Sequence, residues 1–266
     1  MLVIISPAKR LDFDTPTPRA IVPKATQPEF MEDAETLVKT LRDYTPRRLT
    51  NLMGISKDLA TLNQERYAAW RAPFTPDDAK PAMLAFKGDV YLGLQAGQLG
   101  TRDLNWAQKN VRILSGLHGV LRPLDLMQPY RLEMGTALKT GRGKDLYQFW
   151  DDRVTHTLNA VLEGRRSKVI VNLASNEYFG VVQPAKLAGR LLNVRFEDLN
   201  KGKYKVLSFF AKKARGMMTR YVIDKRISAP RGLLDFDYGG YYYAEAASSD
   251  DTLVFRRDGV DAPASA

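Results

Sequence analysis

The chain has 266 residues, 44% of them hydrophobic and 26% charged, which suits a globular protein of one large domain or two small ones. It carries 40 Lys and Arg against 30 Asp and Glu, a net charge of +10, and contains no cysteine. Those totals exclude disulfides, thiolate metal sites and thiol redox chemistry. No apolar run is long enough to span a membrane, and no secretory-signal pattern opens the sequence, so a cytoplasmic protein with no membrane partner is expected.

Leu2–Ile5 is a short apolar run that predicts a buried strand, and it passes directly into Ser6-Pro7-Ala8-Lys9-Arg10. Prolines at 16, 18, 23 and 28 make the next stretch extended or loop-like. Glu29 to Tyr44 reads as a helix with Phe30, Ala34, Leu37, Val38 and Leu41 on one face. The segment from Thr45 to Ala60 then resembles a helix-hairpin-helix element, L-x-x-L-x-G-I-G-x-x-x-A, which holds nucleic-acid backbones without reading sequence. Thr45 suits an N-cap and Pro46 the first helical position. Leu49, Leu52 and Met53 give one turn-spaced face, and Gly54 can take the positive φ that ends the helix. Ser56 can cap a second helix that continues through Leu59, Leu62 and Tyr67 to about Trp70. Backbone N–H groups from Gly54 through Ile55 and Ser56 to Lys57 would then face a phosphate. The same pattern also fits an ordinary αα-hairpin with leucines in a core. Ser56 stands where the pattern has its second glycine.

Pro73 to Pro81 is a second break, and Met83 to Leu94 contains a turn leading into either strand or helix. Val111–Leu114 and Lys168–Leu173 read as further buried strands. Asp145 to Leu162 reads as one helix closed by Gly164, and Arg190–Glu197 alternates like a strand. Between Lys201 and Arg231 ten basic residues meet a single acid, Asp224, so nearly all the excess charge lies there. Within it, Leu207 to Val222 is expected to be a helix. Its apolar face would be Leu207, Phe210, Ala214, Met217, Met218 and Tyr221, with Lys212, Lys213 and Arg215 among the bases elsewhere. Phe209 sits amid those bases, where it either stacks on an exposed base or, as is usual for phenylalanine, is covered by another element. A hairpin is expected within Tyr238–Phe255. Strands alternating with helices predict a mixed α/β fold: one compact domain over 1–256, with a strand-rich core inside surrounding helices, and a disordered tail at 257–266.

Three expected strands end in small polar or charged residues: Ile4-Ile5-Ser6-Pro7-Ala8-Lys9, Ile113-Leu114-Ser115-Gly116-Leu117 and Val171-Asn172-Leu173-Ala174-Ser175-Asn176-Glu177-Tyr178. If those ends converge, Ser6, Lys9, Ser115, Ser175 and Asn176 line one polar pocket. Together with Leu121-Arg122-Pro123-Leu124-Asp125, Pro129-Tyr130-Arg131-Leu132-Glu133-Met134 and Lys212-Lys213-Ala214-Arg215-Gly216, these motifs resemble the YaaA family over about residues 1–256. One departure is His118, where the family pattern has tyrosine.

The resemblance implies an α/β fold with a basic cleft and a helix-hairpin-helix, DNA binding, and resistance to hydrogen peroxide through lower free iron and limited DNA damage. Carried onto this sequence, the hairpin is Leu52 to Lys57, and the cleft candidates are Lys9, Arg10, Arg131, Lys212, Lys213 and Arg215. The residues themselves oppose direct iron chelation. Cysteine is absent, His118 and His156 lie far apart, the acids are scattered, and no metal site or cofactor is expected. The first functional expectation is therefore a DNA-binding protein, a monomer, without sequence preference, whose partner is double-stranded DNA, including bulged or damaged forms. The alternative is an enzyme in the strand-end cleft, with Lys9 as a desolvated amine nucleophile, Ser6 beside it and Glu133 or Glu177 as acid or base. One version is a DNA lyase, for which Asp77 and Asp78 lie a suitable distance beyond the hairpin.

Overall fold

The computed structural model describes residues 1–259. β1 (Leu2–Ile5) leads to a short β2 (Arg10–Leu11), and after the proline-rich stretch come α1 (Met31–Arg42), α2 (Pro46–Met53) and α3 (Lys57–Ala69). β3 (Lys80–Pro81), α4 (Ala82–Ala85), β4 (Phe86–Lys87) and α5 (Asp89–Leu94) follow closely, so the segment from Met83 is mainly helical. α6 (Thr101–Asn110) delivers the chain to β5 (Val111–Ser115), β6 (Gly119–Leu121) and β7 (Leu126–Met127). Then come α7 (Leu146–Trp150), α8 (Arg153–Glu163), β8 (Val169–Leu173), α9 (Asn176–Phe179), β9 (Arg190–Asn200), β10 (Lys203–Lys205), α10 (Ser208–Asp224), β11 (Tyr242–Tyr243) and β12 (Thr252–Arg257). Of the tail expected at 257–266, residues 260–266 lie outside those described, and Arg257 itself ends β12.

One sheet organises the molecule in the order β11-β12-β9-β8-β1-β5-β6, with β10 also paired to β9. β12, β9, β8, β1 and β5 run parallel, and Val3 of β1 lies opposite Val111 on one side and Val171 on the other. β1 and β5 are buried at every position. That explains why their sequences are continuous apolar runs: helices cover both faces of a parallel sheet, so no position faces water.

The helices follow their sequence signals with two corrections. The expected single helix from 145 to 162 is two, because Asp151 takes φ 46° between α7 and α8. The apolar period runs on across the break, which is why the sequence hides it. The basic helix is Ser208–Asp224, and it buries Ala211, Ala214, Met218, Thr219, Tyr221, Val222 and Ile223, while Phe209 stays exposed rather than covered. α10 lies against α5 through two glycines. A Cβ on Gly216 would lie 1.8 Å from the Val90 carbonyl oxygen, and one on Gly93 2.0 Å from that of Lys213. Only glycine permits backbones to approach this closely.

Candidate functional site

β8, β1 and β5 are parallel neighbours, so their C-terminal ends release the chain side by side, as in open α/β sheets that form clefts there. Ser6 follows β1 and Ser175 follows β8. The Ser175 backbone N–H donates to Ser6 Oγ at 2.8 Å, and the Ser6 hydroxyl donates to Ser175 Oγ at 3.3 Å. Ser175 also caps α9 by accepting from the Tyr178 N–H. Ser115, at the end of β5, is fully buried and hydrogen-bonds the Tyr130 hydroxyl at 2.7 Å while accepting from the His118 N–H. Ser6 and Ser175 are thus brought together, whereas Ser115 is buried with Tyr130 and Asn176 is exposed.

The charged residues gather on the segment after Tyr130. Glu133 accepts from Lys9 Nζ at 2.7 Å through one carboxylate oxygen and from Arg131 at 3.0 Å through the other. The Lys9 side chain remains 60% exposed, so it lacks the desolvation expected of a nucleophilic amine, and Glu133 occupies its ammonium. Arg131 is held more deeply, with its Nε buried and without a hydrogen-bond partner among the described residues. Glu177 accepts from the Gly135 N–H at 3.1 Å, and Tyr147 donates to the Glu177 carbonyl at 2.8 Å, which ties α9 and α7 to the same segment.

Four tyrosines line this region, and spacing arguments did not mark them as functional. The hydroxyl of Tyr91 donates to the Ser6 carbonyl and that of Tyr67, on α3, to the Arg131 carbonyl. Burial pushes the Tyr67, Tyr91, Tyr130 and Tyr178 phenols up, so all four stay protonated donors at neutral pH. For Tyr178 the nearby Tyr130, Glu177 and Glu133 add to the effect of burial. Only Tyr130 and Tyr178, which fall inside quoted motifs, carried a sequence signal.

The hairpin adopts the expected local geometry. Thr45 Oγ1 accepts from the Arg48 N–H at 3.3 Å, Ser56 Oγ accepts from the Leu59 N–H at 3.3 Å, and Gly54 sits at φ 61°, ψ 38°. Leu49 and Ile55 are buried, Leu52 is half-buried, and Gly54, Ser56 and Lys57 are exposed. The Gly54 N–H is already used by the Thr50 carbonyl at 2.9 Å, which narrows the free donors to Ile55, Ser56 and Lys57 among the described residues. The Tyr67 bond to Arg131 is where this hairpin meets the charged segment.

The remaining candidates stand apart. Arg10 lies exposed opposite Lys87 in the β2–β4 pair. Lys212 is exposed, and Lys213 borders a groove of about 460 Å³ shared with Met217, Arg220, Asp224 and Tyr238. Arg215 is half-buried, and desolvation lowers its guanidinium below the ordinary range, with no carboxylate partner among the described residues. No hydrogen bond or ion pair among the described residues joins these α10 bases to Lys9 or Arg131. Asp78 is occupied by Arg71 and the Thr75 N–H, and Asp77 is exposed. His118 is fully buried, and His156 pairs with Asp152. Among the described residues no group of three or more His, Asp or Glu is placed to hold a metal ion, and no helix is long and apolar enough to cross a membrane.

The fold and its strand-end site define an α/β protein with a basic outer segment and a two-helix hairpin. The chain belongs to the family described as peroxide stress protein YaaA, whose family model matches residues 1–247. It is 52% identical over 258 residues to a UPF0246 protein of Alteromonas mediterranea, covering 97% of this chain and 98% of the relative. A UPF0246 protein of Burkholderia vietnamiensis is likewise 52% identical over 259 residues, at 97% and 98% coverage.

Proposed function

We propose that this chain is a sequence-nonspecific DNA-binding protein of the hydrogen peroxide stress response. It limits damage to the DNA it covers and lowers free iron only indirectly. The observation that carries the reading is the α2–α3 turn. Its glycine is left-handed with nothing within 4 Å of a would-be Cβ, so a phosphate can approach the free N–H groups of Ile55, Ser56 and Lys57. Family membership supplies the peroxide context. Lys212 and Lys213 of α10, which make no ion pair among the described residues, add charge, and with about six phosphate contacts affinity falls about a thousandfold between roughly 50 and 200 mM salt.

The test is fluorescence anisotropy of the full chain against labelled duplex and bulged DNA across a salt series, beside the double variant Gly54→Glu, Lys57→Glu. Binding that is steep in salt, indifferent to sequence and lost in the variant supports the reading. Retained affinity in the variant reduces the hairpin to a core element.

A second reading is an enzyme at the strand ends, favoured by the hydrogen bonds that join Ser6 to Ser175, with the Lys9–Glu133 pair and Glu177 following a few residues beyond them. For the lyase version, borohydride trapping with abasic DNA should leave a covalent adduct at Lys9. Its exposure and its ion pair with Glu133 weigh against that outcome.

A further inference from the structure

Phe209 and Val206 are 46% and 49% exposed where β10 passes into α10. Phe209 packs edge-on against Phe210, whose ring lies under the Arg257 guanidinium, so its own outer face is left to solvent on a fixed base. Lys212 and Lys213 lie three and four residues further along the same helix, on the neighbouring surface. Lys205 precedes it on β10. The β9–β10 turn holds both central residues left-handed, Lys201 at φ 51° and Gly202 at φ 76°, and this two-residue geometry fixes Lys201 at the tip with Lys203 beside it. All five lysines are exposed. Among the described residues the lysines engaged in ion pairs are others: Lys9, Lys39, Lys80, Lys87 and Lys186. No acid occurs between Leu199 and Asp224.

The outer face of the same sheet end is aromatic too. Tyr204 faces Leu199, and Arg256 faces both Glu197 and Tyr242, which puts these side chains on one side of the sheet. The Tyr204 and Tyr242 hydroxyls are 3.1 Å apart, Arg256 stacks on the Tyr204 ring, and Tyr242 is 43% exposed.

A solvated lysine face needs no aromatic at its centre, and an apolar protein contact would not surround itself with unpaired cations. Both features together suit a flexible polyanion that carries flat rings. We propose that this end of the molecule binds single-stranded nucleic acid, with a base stacked on Phe209 and the flanking phosphates on Lys201, Lys203, Lys205, Lys212 and Lys213. A duplex keeps its bases stacked internally and cannot use the phenyl face. This surface goes beyond the duplex reading: it shares Lys212 and Lys213 with it but does not depend on the hairpin.

The experiment uses the full chain, a labelled 15-mer of thymidylate, and a 15-mer of abasic residues with the same charge. The thymidylate strand should bind about tenfold tighter than the abasic one, and Phe209→Ala should erase that difference. Because Phe209 is only part-buried, against Phe210, its removal should lower the unfolding temperature by no more than a few degrees. Charge reversal at Lys205 and Lys212 should weaken both strands together. Equal affinity for the two strands, an unaltered preference in Phe209→Ala, full displacement by an equally charged polyglutamate, or no binding at low salt would each overturn the proposal. Duplex binding, read in parallel with the Gly54→Glu, Lys57→Glu variant, separates failure here from failure at the hairpin.

Discussion

Replacing His118 by phenylalanine should remove a large part of the protein's sensitivity to mild acid. The imidazole is fully buried, with neither ring nitrogen hydrogen-bonded among the described residues, and it stands edge-on to Phe74 and Tyr130. Burial holds its pKa down to about 3, against roughly 6.5 for an unfolded histidine. The folded state therefore refuses a proton that the unfolded chain accepts. Above about pH 6.5 neither state is charged, and His118 contributes no pH dependence. As pH falls through about 6.5 the unfolded state gains the proton alone, and stability is lost at about 1.4 kcal/mol per pH unit until about pH 3. The whole gap amounts to about 5 kcal/mol, comparable with the net stability of a typical domain.

The assay is thermal and urea unfolding of both proteins from pH 7 to 5, a window above most carboxylate titration. The wild type should lose roughly 3 °C more per pH unit than His118→Phe below pH 6. At pH 7 the variant should be at least as stable, because it removes a buried donor that has no acceptor. Parallel pH profiles for the two proteins would refute the argument. They would mean that the imidazole finds water or a partner on protonation.

Gly216→Ala should destabilise by about 3 kcal/mol in urea unfolding, since its Cβ meets backbone of α5 rather than a side chain that can move. Gly54→Ala, in open space, should cost only the left-handed strain of about 1 kcal/mol. Lys80 is buried with its ammonium on the Asp12 and Thr15 carbonyls at 2.7 Å each, so Lys80→Met should free the loop over Asp12–Thr15. Limited proteolysis should then cut there well before the wild type is cut.

The elements that could be read from sequence were those set by local rules. Leu2–Ile5 and Val111–Leu114 are buried on both sides, so their apolar runs are unbroken, and Thr45, Gly54 and Ser56 mark helix ends through short-range bonds. What stayed hidden depends on distant pairing. That Ser6 meets Ser175 follows from β1 lying beside β8, and nothing within either segment encodes the other's place. The setting of Lys9 stayed hidden for the same reason, because Glu133 arrives from 124 residues away. Asp151 breaks a helix without interrupting its apolar period. Phe209 is exposed because α10 begins at the sheet's end, a matter of placement that composition cannot express.

The position of β1 also bears on how the chain is made. Its four apolar residues lie inside the sheet, between β8 and β5, yet they are synthesised well before either partner. They cannot be fully paired until β8, ending at Leu173, has emerged, so for most of synthesis the centre of the future core is an unprotected sticky segment. Pro7, two residues beyond β1, stands where it can cap the growth of a mispaired strand. A strand buried at every position is thus also a long-lived liability of the nascent chain.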